Sequence, residues 1–88
     1  MTRNEARLTL YSRDYCHLCH DMLAALEAMR GECGVSFSID VVDVDDDPGL
    51  VALYDERVPV LVIHEGAHTR ELCHYFVDKD AVRACLAG

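Results

Sequence analysis

Cys16 and Cys19 stand three residues apart in the run Leu10-Tyr11-Ser12-Arg13-Asp14-Tyr15-Cys16-His17-Leu18-Cys19-His20. Two cysteines at that spacing can cycle between dithiol and disulfide when a helix carries them on one turn. A thiol attacks a disulfide only as thiolate, and an ordinary cysteine has a pKa near ~8.5. Unpaired N–H groups and the dipole at a helix N-terminus favour the anion. The strand-like run breaks between Ser12 and Tyr15 and a helical pattern follows, which sets Cys16 at such an N-terminus. Cys16 is therefore the candidate nucleophile. Cys19, one turn on, is the candidate resolving thiol, able to attack the mixed disulfide at Cys16 and release reduced substrate. Arg13 and His17 favour the thiolate, and Asp14 opposes it.

The same residue types admit other chemistry. Cys16, Cys19, His20, Cys73 and His74 are soft donors, and a zinc or iron–sulfur site needs about four. A metal- or cluster-binding module is thus the alternative, whereas the redox reading expects no metal and no resident cofactor. Cys16-His17-Leu18-Cys19-His20 also fits the haem-attachment pattern, but that attachment normally follows export. Asp43-Val44-Asp45-Asp46-Asp47 has the spacing of a calcium loop, yet Pro48 stands where glycine is required and Tyr54 where glutamate is. A solvated loop and helix cap accounts for it better.

The elements that must position the cysteines follow from periodicity. Residues 7–12 alternate as a strand, with Leu8 and Leu10 on one side and Thr9 and Tyr11 on the other. Leu18, Met22, Leu26 and Met29 then recur at helical spacing, and Gly31 and Gly34 are expected to stop the helix. Val35 to about Val44 alternates as a second strand. Strand, helix and strand make a βαβ unit with parallel strands. Asp47-Pro48 starts a short helix carrying Leu50, Val51, Leu53 and Tyr54. Val60-Leu61-Val62-Ile63 reads as a strand buried on both faces. Glu65-Gly66 then turns the chain into a partner strand over about Ala67 to Leu72. On this reading Cys73-His74 lies beyond that strand. Asp78 caps a last helix with Val77, Ala81, Val82, Cys85 and Leu86 inward. The order β-α-β-α-β-β-α matches an α/β thioredoxin-like fold, a four-stranded mixed sheet flanked by three helices.

Composition narrows the partners. The chain has 88 residues, enough to bury a core without staples, and is expected to form one domain over 1–88. Sixteen acidic residues against eight basic ones give a net charge of −8. Such a surface repels phosphate backbones, so no nucleic acid is expected as partner. No run approaches the ~18 apolar residues of a membrane span, and the first residues lack a secretion signal's apolar core. The expectation is a cytoplasmic chain without a membrane partner. Five cysteines, an odd number, argue against a disulfide framework. Cys33 in the Gly31–Gly34 turn is expected to be exposed, as are His64 and His68 beside the hairpin turn. Tyr75 and Phe76 are expected to be core or surface cover near the last helix, with a substrate groove as the alternative place for Tyr75.

Arg57-Val58-Pro59-Val60-Leu61 completes the pattern. Proline directly before a buried strand is tolerated at its first position. With a cis Val58–Pro59 bond, the Val58 backbone would face outward beside the Cys16 end of the first helix, ready to pair with a substrate chain. This segment, and the run from Leu10 to Cys19 with Arg13 three before and Tyr15 just before Cys16, resemble glutaredoxins over about residues 7–86. The resemblance implies thiol–disulfide exchange with Cys16 as nucleophile, Cys19 as resolving thiol and Pro59 as a cis-proline. Arg13, Tyr15, His17, Val58 and Pro59 would contact substrate. It further implies a disulfide-bearing protein or small thiol as substrate, and a reductase or glutathione as electron donor. Two departures stand out. His17-Leu18 replaces the usual Pro-Tyr or Pro-Phe between the cysteines. Glutaredoxins also follow the last strand with Gly-Gly and an acidic residue, which hold the γ-glutamyl end of glutathione. Here Cys73-His74-Tyr75-Phe76-Val77-Asp78 has no glycine, so glutathione as co-substrate is matched at Arg13 and Val58 and opposed at Tyr75-Phe76.

Overall fold

A computed structural model describes residues 6–14, 16–33, 37–54 and 56–87, with the side chains of 31–33, 86 and 87 outside the description. Leu8 and Leu10 are each 1% exposed because their strand, β1 (Ala6–Ser12), lies inside the sheet. The helix α1 (His17–Cys33) follows, then β2 (Phe37–Asp43), a single 3-10 turn (Val44–Asp46) and α2 (Pro48–Tyr54). β3 (Val60–Glu65), β4 (His68–His74) and α3 (Lys79–Ala87) complete the chain.

The sheet runs β2-β1-β3-β4. β1 is parallel to β2, with Leu8 opposite Ile39, as the βαβ reading requires. β1 is antiparallel to β3, with Tyr11 opposite Val60, and β3 is antiparallel to β4. Period-2 alternation sorts the faces. Leu8, Leu10, Leu61 and Ile63 pack with Met22, Leu26 and Met29 of α1 and Val82 of α3. On the other face Tyr54 of α2 stacks on Tyr11 at 4.6 Å between centroids. Helices therefore cover both faces.

Several boundaries differ from expectation, each for a physical reason. α1 passes through Gly31 to Cys33, so Cys33 belongs to the last helical turn. One glycine costs a helix only about 1 kcal/mol, and Met29, 1% exposed, keeps the preceding turn buried. Val35 lies outside the described residues, and Val44 leaves the strand for the 3-10 turn. There the Asp43 carboxylate accepts from the Asp45 N–H at 2.9 Å. Asp47 starts α2 as expected, its Oδ1 accepting from the Gly49 N–H at 2.8 Å. The hairpin loop is Gly66-Ala67 rather than Glu65-Gly66, since Glu65 pairs with His68. Gly66 has φ 63°, the left-handed conformation that glycine adopts without penalty. β4 runs on to His74, which puts Cys73 and His74 inside the strand. His64 is half-buried rather than exposed, its Nε2 lying 2.6 Å from Thr9 Oγ1. Asp78 caps α3, accepting from the Ala81 N–H at 3.0 Å. Among the described residues no helix is long and apolar enough to cross a membrane.

Candidate redox site

The register brings the candidate residues to one end of the sheet. β1 ends at Ser12, opposite Asp43 of the parallel β2. On its other side Tyr11 pairs with Val60, so Pro59 immediately precedes β3 at the same end, and Val60 pairs with His74 where β4 finishes. The loop carrying Cys16, the Val58–Pro59 segment and the β4–α3 turn thus share that end.

Cys16 immediately precedes α1 and its carbonyl accepts the first helical bond, from the His20 N–H at 3.3 Å. Its sulfur accepts from the Cys19 N–H at 3.1 Å. That is the geometry of an N-cap side chain, here with sulfur in place of oxygen. Cys16 and Cys19 form a disulfide across a Cα–Cα distance of 5.2 Å. The two sulfurs are not equivalent to a partner. Cys16 is half-buried, whereas Cys19 is 4% exposed. An incoming group can reach the first and not the second.

The charged neighbours are arranged differently from expectation. Arg13 forms a bidentate pair with Asp45, Nε to Oδ2 at 3.1 Å and Nη2 to Oδ1 at 3.0 Å. The Asp45 carboxylate offsets the charge that Arg13 was expected to lend to a thiolate or a substrate carboxylate. The His17 side chain is 90% exposed, with Nε2 3.6 Å from Asp21 Oδ2 one turn on. It faces water and Asp21. Tyr15 lies outside the described residues. A shallow pocket of about 160 Å³ lies beside Cys19, lined by Ser12, Arg13, Asp14 and His20 among others.

Val58–Pro59 is cis and Pro59 is buried. The Val58 N–H donates to the Tyr54 carbonyl at 3.2 Å. The donor half of the expected pairing with a substrate chain is therefore engaged within the protein. Sequence reasoning missed the residue that fastens this loop. Tyr75 holds φ 64°, a left-handed conformation rare outside glycine, asparagine and aspartate. Its N–H donates to the Pro59 carbonyl at 2.9 Å, and its hydroxyl donates to the Glu56 carbonyl at 2.5 Å. Its ring meets the His74 imidazole edge-on at 4.8 Å, and His74 Nδ1 lies 2.9 Å from Glu71, which also pairs with Arg57. The missing glycine was a usable signal. A position where glycine is usual, filled by another residue, needs such ties to hold the backbone.

The soft donors proposed for a metal do not converge. Cys73 packs against the core opposite Leu61, and burial pushes its thiol up. Among the described residues no three His, Cys, Asp or Glu side chains are gathered to hold a metal ion.

Residues 7–87 match the family model of the glutaredoxin-like domain (DUF836). The chain is similar to a Nitrosomonas europaea protein solved by NMR, at 36% identity and a TM-score of 0.83, covering 98% of this chain and 96% of that one. It is also similar to a protein from X. campestris solved by X-ray crystallography, at 39% identity and a TM-score of 0.68, covering 91% of this chain and 95% of that one. Oxidised mitochondrial thioredoxin 3 from Saccharomyces cerevisiae shares the fold, at 14% identity and a TM-score of 0.68, covering 97% and 79%. The comparison with curated proteins returns no match. A thioredoxin-like sheet, the Cys16–Cys19 disulfide at its end and the family match over nearly the whole chain agree: this chain belongs to the glutaredoxin-like domain family.

Proposed function

We propose that the chain is a thiol–disulfide oxidoreductase that reduces disulfides of polypeptides or small thiols. The observation that carries this is the Cys19 N–H directed at the Cys16 sulfur, with Cys16 reachable and Cys19 buried. In the reduced protein that N–H and the α1 dipole favour a thiolate at Cys16. The thiolate attacks one sulfur of the substrate disulfide, forming a Cys16–substrate bond and expelling the other sulfur as thiolate. Cys19, as thiolate, then attacks the Cys16 sulfur, closing the Cys16–Cys19 bond and expelling the second substrate sulfur. Two electrons pass from the dithiol to the substrate, and the protons that the cysteines lose balance those that the product thiols gain. A reductase or glutathione returns the pair to the dithiol.

Cys16→Ser is expected to abolish disulfide reduction, and Cys19→Ser to trap a mixed disulfide visible by mass spectrometry. Undiminished turnover in Cys16→Ser overturns the reading. Elemental analysis of anaerobically purified protein separates it from the metal-binding alternative, because stoichiometric zinc or iron lost in Cys16→Ala favours the latter.

A further inference from the structure

We infer that a groove between Leu18 and Phe76 seats an apolar side chain of a cationic, disulfide-bearing polypeptide, and that such a polypeptide, not glutathione, is the substrate of the cysteine pair. This rests on the redox reading above and specifies its substrate. The groove holds about 140 Å³ and is lined by Leu18, Asp21, Met22, Tyr75, Phe76 and Val77. Leu18 stands between the two cysteines, so the groove shares a wall residue with the turn that carries them. Phe76 is 69% exposed and Tyr75 39% exposed. Aromatic surface is thus presented to solvent in the groove that Leu18 of the cysteine motif lines, where covering it would stabilise a complex.

Charge identifies the occupant. Among the described residues of the groove wall Asp21 is the one that is charged, with a side chain 62% exposed, and the whole chain carries −8. A lysine or arginine flanking the substrate cysteine would approach that carboxylate in a field that attracts it. Glutathione bears two carboxylates against one ammonium and is repelled by the same field. Three groups that could hold a carboxylate are engaged. Arg13 is paired with Asp45, the Tyr75 N–H donates to Pro59, and the Phe76 N–H donates to the His74 carbonyl at 2.7 Å. The turn that would cradle an anion is closed on itself.

The test uses the reduced full chain and single-turnover rates with four disulfides. These are neutral 2-hydroxyethyl disulfide, glutathione disulfide, and two cyclic peptides with leucine beside a disulfide cysteine, flanked by lysines in one and glutamates in the other. The lysine peptide is expected to react at least about tenfold faster than the glutamate peptide and glutathione disulfide at low salt, the margin shrinking as salt rises. Phe76→Ala, at a position exposed enough to spare the fold, is expected to lower the lysine-peptide rate about tenfold relative to the neutral disulfide. Asp21→Asn is expected to erase most of the lysine-over-glutamate preference. Equal rates for the two peptides, or a lysine-peptide rate untouched by Phe76→Ala, overturn the proposal. Lack of reaction with the neutral disulfide overturns the redox reading and this proposal together. Reaction with it but no peptide preference overturns the proposal alone.

Discussion

Two segments meet at the working end of the sheet and are held by opposite means. Cys16 is organised locally: its sulfur and carbonyl accept from N–H groups three and four residues on, at the start of α1. The β4–α3 turn is organised at long range. Tyr75 reaches back to Pro59 and Glu56, and its backbone adopts a conformation that its own side chain disfavours. The contrast separates chemistry from recognition. On the proposed reading, thiol exchange would depend on a cap-like geometry that one helix supplies, whereas the surface offered to a substrate would depend on ties between distant segments. Sequence change in the second can redirect recognition while the first stays intact.

The largest expected effect tests whether α1 is as firmly seated as the locally built site requires. Met22, 2% exposed, packs in the core beneath the first turns of α1. Met22→Ala should cost about 2–5 kcal/mol in denaturant unfolding. A loss below about 1 kcal/mol would break the contrast, since the helix would then be held by something other than its buried stripe. Next comes thiol reactivity, read by peptide mapping after alkylation of the reduced protein. Burial pushes the Cys73 thiol up, opposed in part by a backbone hydrogen bond at Asp78, so little of it is thiolate near neutral pH. Cys16 should react at least about tenfold faster. The same shift has a sign for stability. The folded chain holds the Cys73 proton more tightly than the unfolded chain. The corresponding stability is full below the unfolded thiol pKa and lost as pH rises through the raised folded value. Cys73→Ala should remove that alkaline component from a pH series of unfolding midpoints.

Smaller effects belong to the turn. Asp78→Ala removes the α3 cap and should cost about 1 kcal/mol. Tyr75→Phe removes the bond to the Glu56 carbonyl at an exposed position and should cost about 0.5 kcal/mol. If Tyr75→Phe costs more than Asp78→Ala, the ties across the turn carry more of its stability than the cap does.

The difference between the two segments also explains what could be read from residue order. Periodicity along Leu18, Met22, Leu26 and Met29 reports burial on one helix, and α1 sits where that stripe puts it. Pro48 and Asp78 act within their own turns, and both helices start where those residues indicate. Gly31 was misleading because a glycine signal is weaker than the burial of Met29 before it. The hairpin loop moved by one residue because Gly66, not Glu65, supplies the left-handed backbone. Arg13 was read for its charge, but its partner Asp45 lies 32 residues away on a turn whose placement depends on the parallel pairing of β1 with β2. The strap made by Tyr75 was hidden for the same reason. Its acceptors are backbone carbonyls on another loop, and backbone carbonyls leave no mark in a sequence.

The pairing of β3 with β4 carries one irregularity: Leu61 faces Cys73 and Val62 faces Glu71, leaving Leu72 without an opposite residue. Leu72 and Cys73 consequently both pack against the core, although they are adjacent in a strand. Removing Leu72 would leave Glu71 outward and Cys73 inward, the alternation of an unbroken ladder. β4 is therefore a place where the chain can gain or shed a residue without inverting the strand. The length of the arm that presents Tyr75 and Phe76 is adjustable there, independently of which side chains face the core.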